Sequence, residues 1–178
     1  MTDKKRSSIQ KLGAAGFGAM LIGLAASPAL AQSQPKWELS VGPWAGYNIK
    51  ETNDKSSTLV GAEFRLDYAY SSRWSTYIDL VRFNTVGTSS NNGFGGRRTI
   101  GLKHRFDFGD WQASIGPKIG HISGKGVQDG LVIGPEIGAA YDLSPQTFLY
   151  ARFAYDHDSR NKLNEGIFNG GLGVGFRY

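Results

Sequence analysis

The chain predicts an all-β fold, an eight-stranded antiparallel up-and-down transmembrane β-barrel, and three observations carry that expectation. From Trp37 onward, eight runs of about 10 to 14 residues alternate polar and apolar positions with period two, separated by clusters of Gly, Ser, Asn and Asp. No stretch keeps a 3.6-residue period, and no apolar run reaches the roughly 20 residues of a membrane helix. The connections alternate between short and long, as in a barrel with tight turns at one rim and loops at the other.

A leader precedes the strands. Residues 1–31 open on Lys4, Lys5, Arg6 and Lys11, continue through an apolar run from Leu12 to Ala26 and close on Ala29-Leu30-Ala31. Basic, apolar and small-residue sections in that order predict a secretory signal peptide cleaved before Gln32. A single membrane anchor suits the segment less well, because Gly, Ser and Pro interrupt it. Residues 32–36 then form a short tether, and 37–178 form the barrel domain. Loss of the leader lowers the formal charge from +5 to +2 over the remaining 147 residues, so the basic balance is partly a targeting feature. No basic cluster with interleaved aromatics follows, which excludes a nucleic-acid partner. Cysteine is absent, and His104, His121 and His157 lack metal-ligand spacing, so neither metal nor cofactor is expected.

The expected strands are Trp37–Asn48, Thr58–Tyr70, Trp74–Thr85, Arg97–Phe108, Trp111–Ser123, Leu131–Asp142, Thr147–Asp158 and Gly166–Tyr178. The second sets Val60, Ala62, Phe64, Leu66 and Tyr68 against Glu63, Arg65 and Asp67. In the fourth, Ile100, Leu102, Phe106 and Phe108 oppose Arg97, Thr99, Lys103 and Arg105. Ser71–Arg73, Gly109–Asp110 and Leu143–Gln146 read as tight periplasmic turns; Ile49–Ser57, Val86–Gly96, Gly124–Gly130 and Ser159–Glu165 read as outer loops. Trp37, Trp74 and Trp111 open their strands at the periplasmic interface, where an aromatic girdle belongs. The third run, WSTYIDLVRFNT, conflicts with itself: turning Asp79 inward also turns in Tyr77, Val81 and Phe83. Inward Asp79 is preferred, because a lipid-facing carboxylate costs about 2 kcal/mol; a bulge would relieve the conflict.

Two segments, IGPKIG (115–120) and IGPEIG (133–138), place proline inside strands. Pairing them as a hairpin sets Pro117 opposite Pro135 on the lipid side, flanked by glycines that permit a bulge or a bend. The same register makes Lys118 and Glu136 diagonal neighbours in the interior. With Glu63, Arg65, Asp67, Lys103, Arg105, Asp142, Arg152 and Asp156 they would fill the bore of an eight-stranded barrel, which is just wide enough for side chains. Arg82, Arg98, Arg160 and Lys162 fall near the outer rim, at the height of lipid phosphates.

Alternation also suits a water-soluble sandwich, and the C-terminus separates the two. The chain ends Leu172-Gly-Val174-Gly-Phe176-Arg-Tyr178, apolar at every second position with a terminal aromatic. This resembles the signal by which bacterial outer-membrane barrels are recognised, and it implies an outer-membrane location and the barrel-assembly machinery as a partner. Together with the hairpin YDLSPQTFLYARFAYD, the whole domain resembles the small surface-antigen barrels of the opacity-protein and OmpX/Ail-like type. That resemblance implies a monomeric envelope protein of structural or surface-interaction role, in contact with outer-membrane lipids and lipopolysaccharide.

A second resemblance is local. His157-Asp-Ser159-Arg160, followed by Asn164-Glu-Gly166-Ile167, resembles the last outer loop of the lipid A deacylases, esterases whose Ser and His face the lipid leaflet. It implies His157 as base and Ser159 as nucleophile in the alternative reading. Arg160 stands where that family carries Asn, and Phe168 where it carries the Glu that orients the His. Glu165 is left as a weak candidate for that acid.

Overall fold

The computed structural model describes residues 37–49, 57–86, 93–124, 127, 129–158 and 166–178. The expected leader, tether and outer-loop residues Ser159, Arg160, Lys162 and Glu165 lie outside these. The strands are β1 (Trp37–Ile49), β2 (Ser57–Ala69), β3 (Trp74–Val86), β4 (Gly93–Phe108), β5 (Trp111–Gly124), β6 (Gly130–Asp142), β7 (Thr147–Asp158) and β8 (Gly166–Arg177). Each pairs antiparallel with its sequence neighbours, and β8 returns to β1, so the sheet closes. At the closing rim Trp37 and Tyr178 exchange backbone hydrogen bonds, with Tyr178 N donating to Trp37 O at 2.9 Å. Closure leaves no unpaired sheet edge, which hydrocarbon would not tolerate.

Alternation sorts the side chains as the sequence implies. On β3, Tyr77, Asp79, Val81 and Phe83 are buried inside, while Trp74 and Leu80 stand on the outer wall. No bulge is needed: β3 pairs without interruption from Ser75 to Val86 on β2 and from Trp74 to Thr85 on β4. Trp37, Trp74 and Trp111 are exposed at the rim of the tight turns. Trp111 packs on Tyr141 and Trp37 on Tyr68, as expected of an interfacial girdle.

β4 begins at Gly93, four residues before the expected Arg97. The stretch Gly93-Phe-Gly-Gly96 reads as a loop by composition, yet Gly95 and Gly96 pair with Phe83 and Arg82. A methyl group on Gly95 would lie 2.4 Å from the Phe83 ring, so glycine is what lets that ring lie inward across β4.

The prolines mark interruptions in the ladder. Pro117 faces Pro135 across β5–β6 as expected, and that ladder is continuous. On the other flank of each strand two consecutive pairings are missing: opposite Gly116-Pro117 on β4, and opposite Gly134-Pro135 on β7. β1 repeats the pattern at Gly42-Pro43 against β8. Register is the same above and below each gap, so these are bends without an inserted residue, not bulges. The carbonyl opposite each proline has lost its amide donor. It lies instead against the preceding glycine: a Cβ would sit 1.9 Å from Leu172 O at Gly42, 1.8 Å from Leu102 O at Gly116 and 1.7 Å from Tyr155 O at Gly134. A glycine Cα–H therefore meets the orphaned oxygen, a weak hydrogen bond in place of a strong one.

Gly134→Ala should accordingly lower stability by about 1–3 kcal/mol through overpacking against backbone. Gly138→Ala, whose methyl would meet the movable Ser114 hydroxyl at 2.9 Å, should cost distinctly less. Urea unfolding in lipid vesicles, followed by gel mobility, compares them; equal midpoints would refute the close approach at Gly134.

Candidate functional site

The barrel interior is divided along its length. Toward the outer rim, Trp44, Leu59, Val81, Phe83, Ile122, Val132 and Ile167 form an apolar cap. Below the cap the inward faces carry charge. β4 descends from Arg97 through Lys103 to Arg105, and acids reach these from β1, β2, β3 and β7.

Arg97 lies directly beneath the cap. Its guanidinium donates to Asp79 and Asp156 at 2.7 Å each and to Asn169 at 2.6 Å, and it sits 5.1 Å from the Trp44 ring. Trp44 Nε1 donates to the same Asn169 at 3.3 Å, which couples cap to network. Arg65 grips Glu136 with both terminal nitrogens, approaches Asp79 at 3.4 Å and stacks 3.9 Å above Tyr77. Arg152 bonds Glu63 and, lower down, Lys103 pairs with Asp67 at 2.5 Å. At the periplasmic end Arg105 holds Glu38 through two bonds of 3.0 and 2.8 Å, and Arg177 bridges Glu38 and Asp142.

Lys118 and Glu136 do approach, at 4.0 Å, but the closer partner of Lys118 is Asp156 at 2.9 Å. Arg65 outcompetes it for Glu136 because a planar fork matches a carboxylate and an ammonium does not. Seven basic side chains (Arg65, Arg97, Lys103, Arg105, Lys118, Arg152, Arg177) thus pair with seven acidic ones (Glu38, Glu63, Asp67, Asp79, Glu136, Asp142, Asp156). Among the described residues these pairs balance, seven charges of each sign.

On the outer wall, β7 turns Leu149, Ala151 and Phe153 toward lipid, and His157 lies on the same face. His157 pairs with Gly166 of β8 and Ile133 of β6. Phe168, at the position where a deacylase would place its orienting acid, stacks on Phe153 at 6.0 Å and packs on Tyr155. An apolar groove of about 450 Å3 crosses the β1–β8 seam beside Pro43, Ala45, Ala151 and Gly170. The outward row Tyr155–Phe168–Tyr47 separates it from His157. Ser159 and Glu165 lie outside the described residues. Among the described residues no group of three or more His, Asp or Glu is arranged to hold a metal ion.

Sequence reasoning missed Trp44, Asn169 and the cap. Their parity was readable, since Trp44 shares its face with Glu38 and Ser40. What an inward residue meets across the bore was not.

Comparison with known proteins agrees with this architecture. In fold the chain is similar to Neisserial surface protein A (TM-score 0.65, 13% identity, 80% of this chain and 97% of the other). It is similar too to Ail, the attachment invasion locus protein of Yersinia pestis (TM-score 0.57, 14% identity, 82% and 99%). The N-terminal β-barrel domain of Pseudomonas aeruginosa OprF is a further likeness (TM-score 0.54, 16% identity, 83% and 100%). At such identities the likeness is one of fold. No curated protein matches the chain at the level of sequence. Residues 17–178 match the family described as outer membrane protein beta-barrel domain. With its closed eight-stranded wall, apolar outside and ionic inside, the chain belongs to that family and resides in the outer membrane.

Proposed function

We propose that this protein is a non-catalytic envelope component, with a plugged bore and a structural or surface-interaction role exercised through its wall and outer rim. The observation that carries this reading is the neutral set of buried ion pairs beneath an apolar cap. The space bounded by Glu63, Arg65, Arg97, Glu136 and Arg152 holds no void that admits water, and a nearby cavity beside Ser40, Ser114 and Tyr150 measures about 30 Å3. That is room for about one or two waters, not a file of hydrated ions. Opening such a path would mean separating buried pairs, each costly to break. In this reading the partners are outer-membrane lipids and lipopolysaccharide along the wall and the barrel-assembly machinery at β8, and the working unit is one copy.

Planar bilayer recording of the refolded chain in concentrated potassium chloride is expected to show no stable openings. Long-lived conductance steps that scale with salt would overturn the plugged bore.

A further inference from the structure

We propose that the outer wall of β3, β4 and β5 carries a binding site for the phosphate of an outer-leaflet lipid, held between Arg82 and Arg98. The inference deepens the lipid-contacting part of the reading above and rests on it.

Both arginines stand exposed on the outer wall, above a largely apolar stretch and beside the polar Asn84 and His121. Arg82 of β3 pairs with Gly96 of β4, and Arg98 is the next outward residue along β4. They are diagonal neighbours, within reach of one another's long side chains. Gly96 leaves the intervening position empty, and Arg82 fills it: its Nη1 lies 3.3 Å from where a Gly96 Cβ would be. Arg98 in turn pairs with His121 of β5, which is also exposed.

Height agrees with a headgroup. Arg82 is eight residues above the girdle residue Trp74, and Arg98, which pairs with Leu80, lies about two residues lower. With a rise of about 3.3 Å per residue and a tilt near 40°, these are about 20 and 15 Å, the outer half of a hydrocarbon band about 25 Å tall, from which long arginine side chains reach up to the headgroups.

Among the described residues the charge is also one-sided and unbalanced. Near the outer rim β1, β2, β6 and β8 present Tyr47, Val60, Leu131 and Phe168 outward. The strand carboxylates of the network all point into the bore, and the nearby exposed acid, Asp129, lies 2.9 Å from His121 Nε2. Among the described residues neither Arg82 nor Arg98 has a carboxylate partner. Two guanidiniums at a lipid boundary need an anion, and a phosphate with several acceptor oxygens suits a pair of planar donors.

Below them Ile78, Ile100, Ile119 and Ile133 stand in register across four strands, Ile100 covered by its neighbours and Ile119 and Ile133 exposed, with exposed Leu80 above on β3. A lipid whose phosphate sits on the arginines would lay its chains along this row. Free phosphate would gain nothing from it.

Native mass spectrometry of the detergent-solubilised full chain tests the site, with diphosphoryl lipid A, its fully dephosphorylated form and inorganic phosphate as probes. Diphosphoryl lipid A should be retained on the order of tenfold more than the dephosphorylated form, the effect of about one to two charge contacts. The double variant Arg82→Gln/Arg98→Gln should erase that preference, whereas Arg73→Gln in a periplasmic turn should not. Equal retention of the two lipids by the unaltered protein would overturn the proposal, and that comparison needs no variant to fold. Undiminished preference in the double variant would overturn it too, and displacement of the lipid by equimolar inorganic phosphate would make the site one for free anions. Bilayer conductance of the same preparation reports on the bore alone, so either idea can fail without the other.

Discussion

Arg65→Ala is expected to lower the unfolding free energy by about 3–5 kcal/mol, the range for removing one member of a buried ion pair. The loss does not come from Coulomb attraction alone. Arg65 is almost wholly buried, and its departure strips the Glu136 carboxylate of two hydrogen bonds. What remains for Glu136 is Lys118 at 4.0 Å, already engaged with Asp156. Asp79 keeps Arg97, so the damage should centre on Glu136. Arg65→Met combined with Glu136→Met removes both charges and should recover most of the loss, because apolar replacements of buried pairs are often neutral. Urea titration in lipid vesicles, read by the mobility difference between folded and unfolded bands, provides the comparison. A double variant no better than the single one would mean that the pair holds the barrel together for some other reason.

The second large effect belongs to the cap. Trp44→Ala should cost about 3–5 kcal/mol, as large aromatic truncations in packed cores do. Trp44 is 2% exposed, its ring centroid lies 5.7 Å from that of Phe83, and its indole N–H ends on Asn169. Truncation would leave a cavity and also free Asn169, which bonds Arg97 and Asp156. Trp44→Phe separates these contributions. It retains most of the packing and loses the N–H donor, so a cost nearer 1 kcal/mol is expected. If the two substitutions destabilise equally in the same titration, the hydrogen bond to Asn169 matters more than the packing.

Much of this molecule was legible in its sequence, and the reason is the two-residue period of a strand. Each inward or outward assignment needs only local order, so the placements of Asp79, Arg65 and Lys118 survived even where WSTYIDLVRFNT looked contradictory. Facing Pro117 and Pro135 followed from hairpin counting, which is also local. Partner choice is not local. Arg97 meets Asp156 and Asn169, 59 and 72 positions away, because closure and stagger bring distant strands opposite one another across the bore. Alternation says that Leu59, Val81 and Phe83 point inward but not that they gather at one end. Gly93–Gly96 misled by composition, since glycine there answers to the Phe83 and Arg82 side chains on the next strand. The local likeness to a deacylase offered His157 and Ser159; the sequence itself already sets aromatic Phe168 where that likeness would need an acid, and Ser159 lies outside the described residues.

The three Gly-Pro dipeptides have a last consequence, for how the wall breathes. Each takes two consecutive rungs out of one seam, β1–β8, β4–β5 or β6–β7, and leaves the other seam of its strand fully laddered. The cylinder is thus a set of firmly stitched panels joined along three softer seams. Amide exchange follows local opening, so it should run fastest in the strand amides that border those seams.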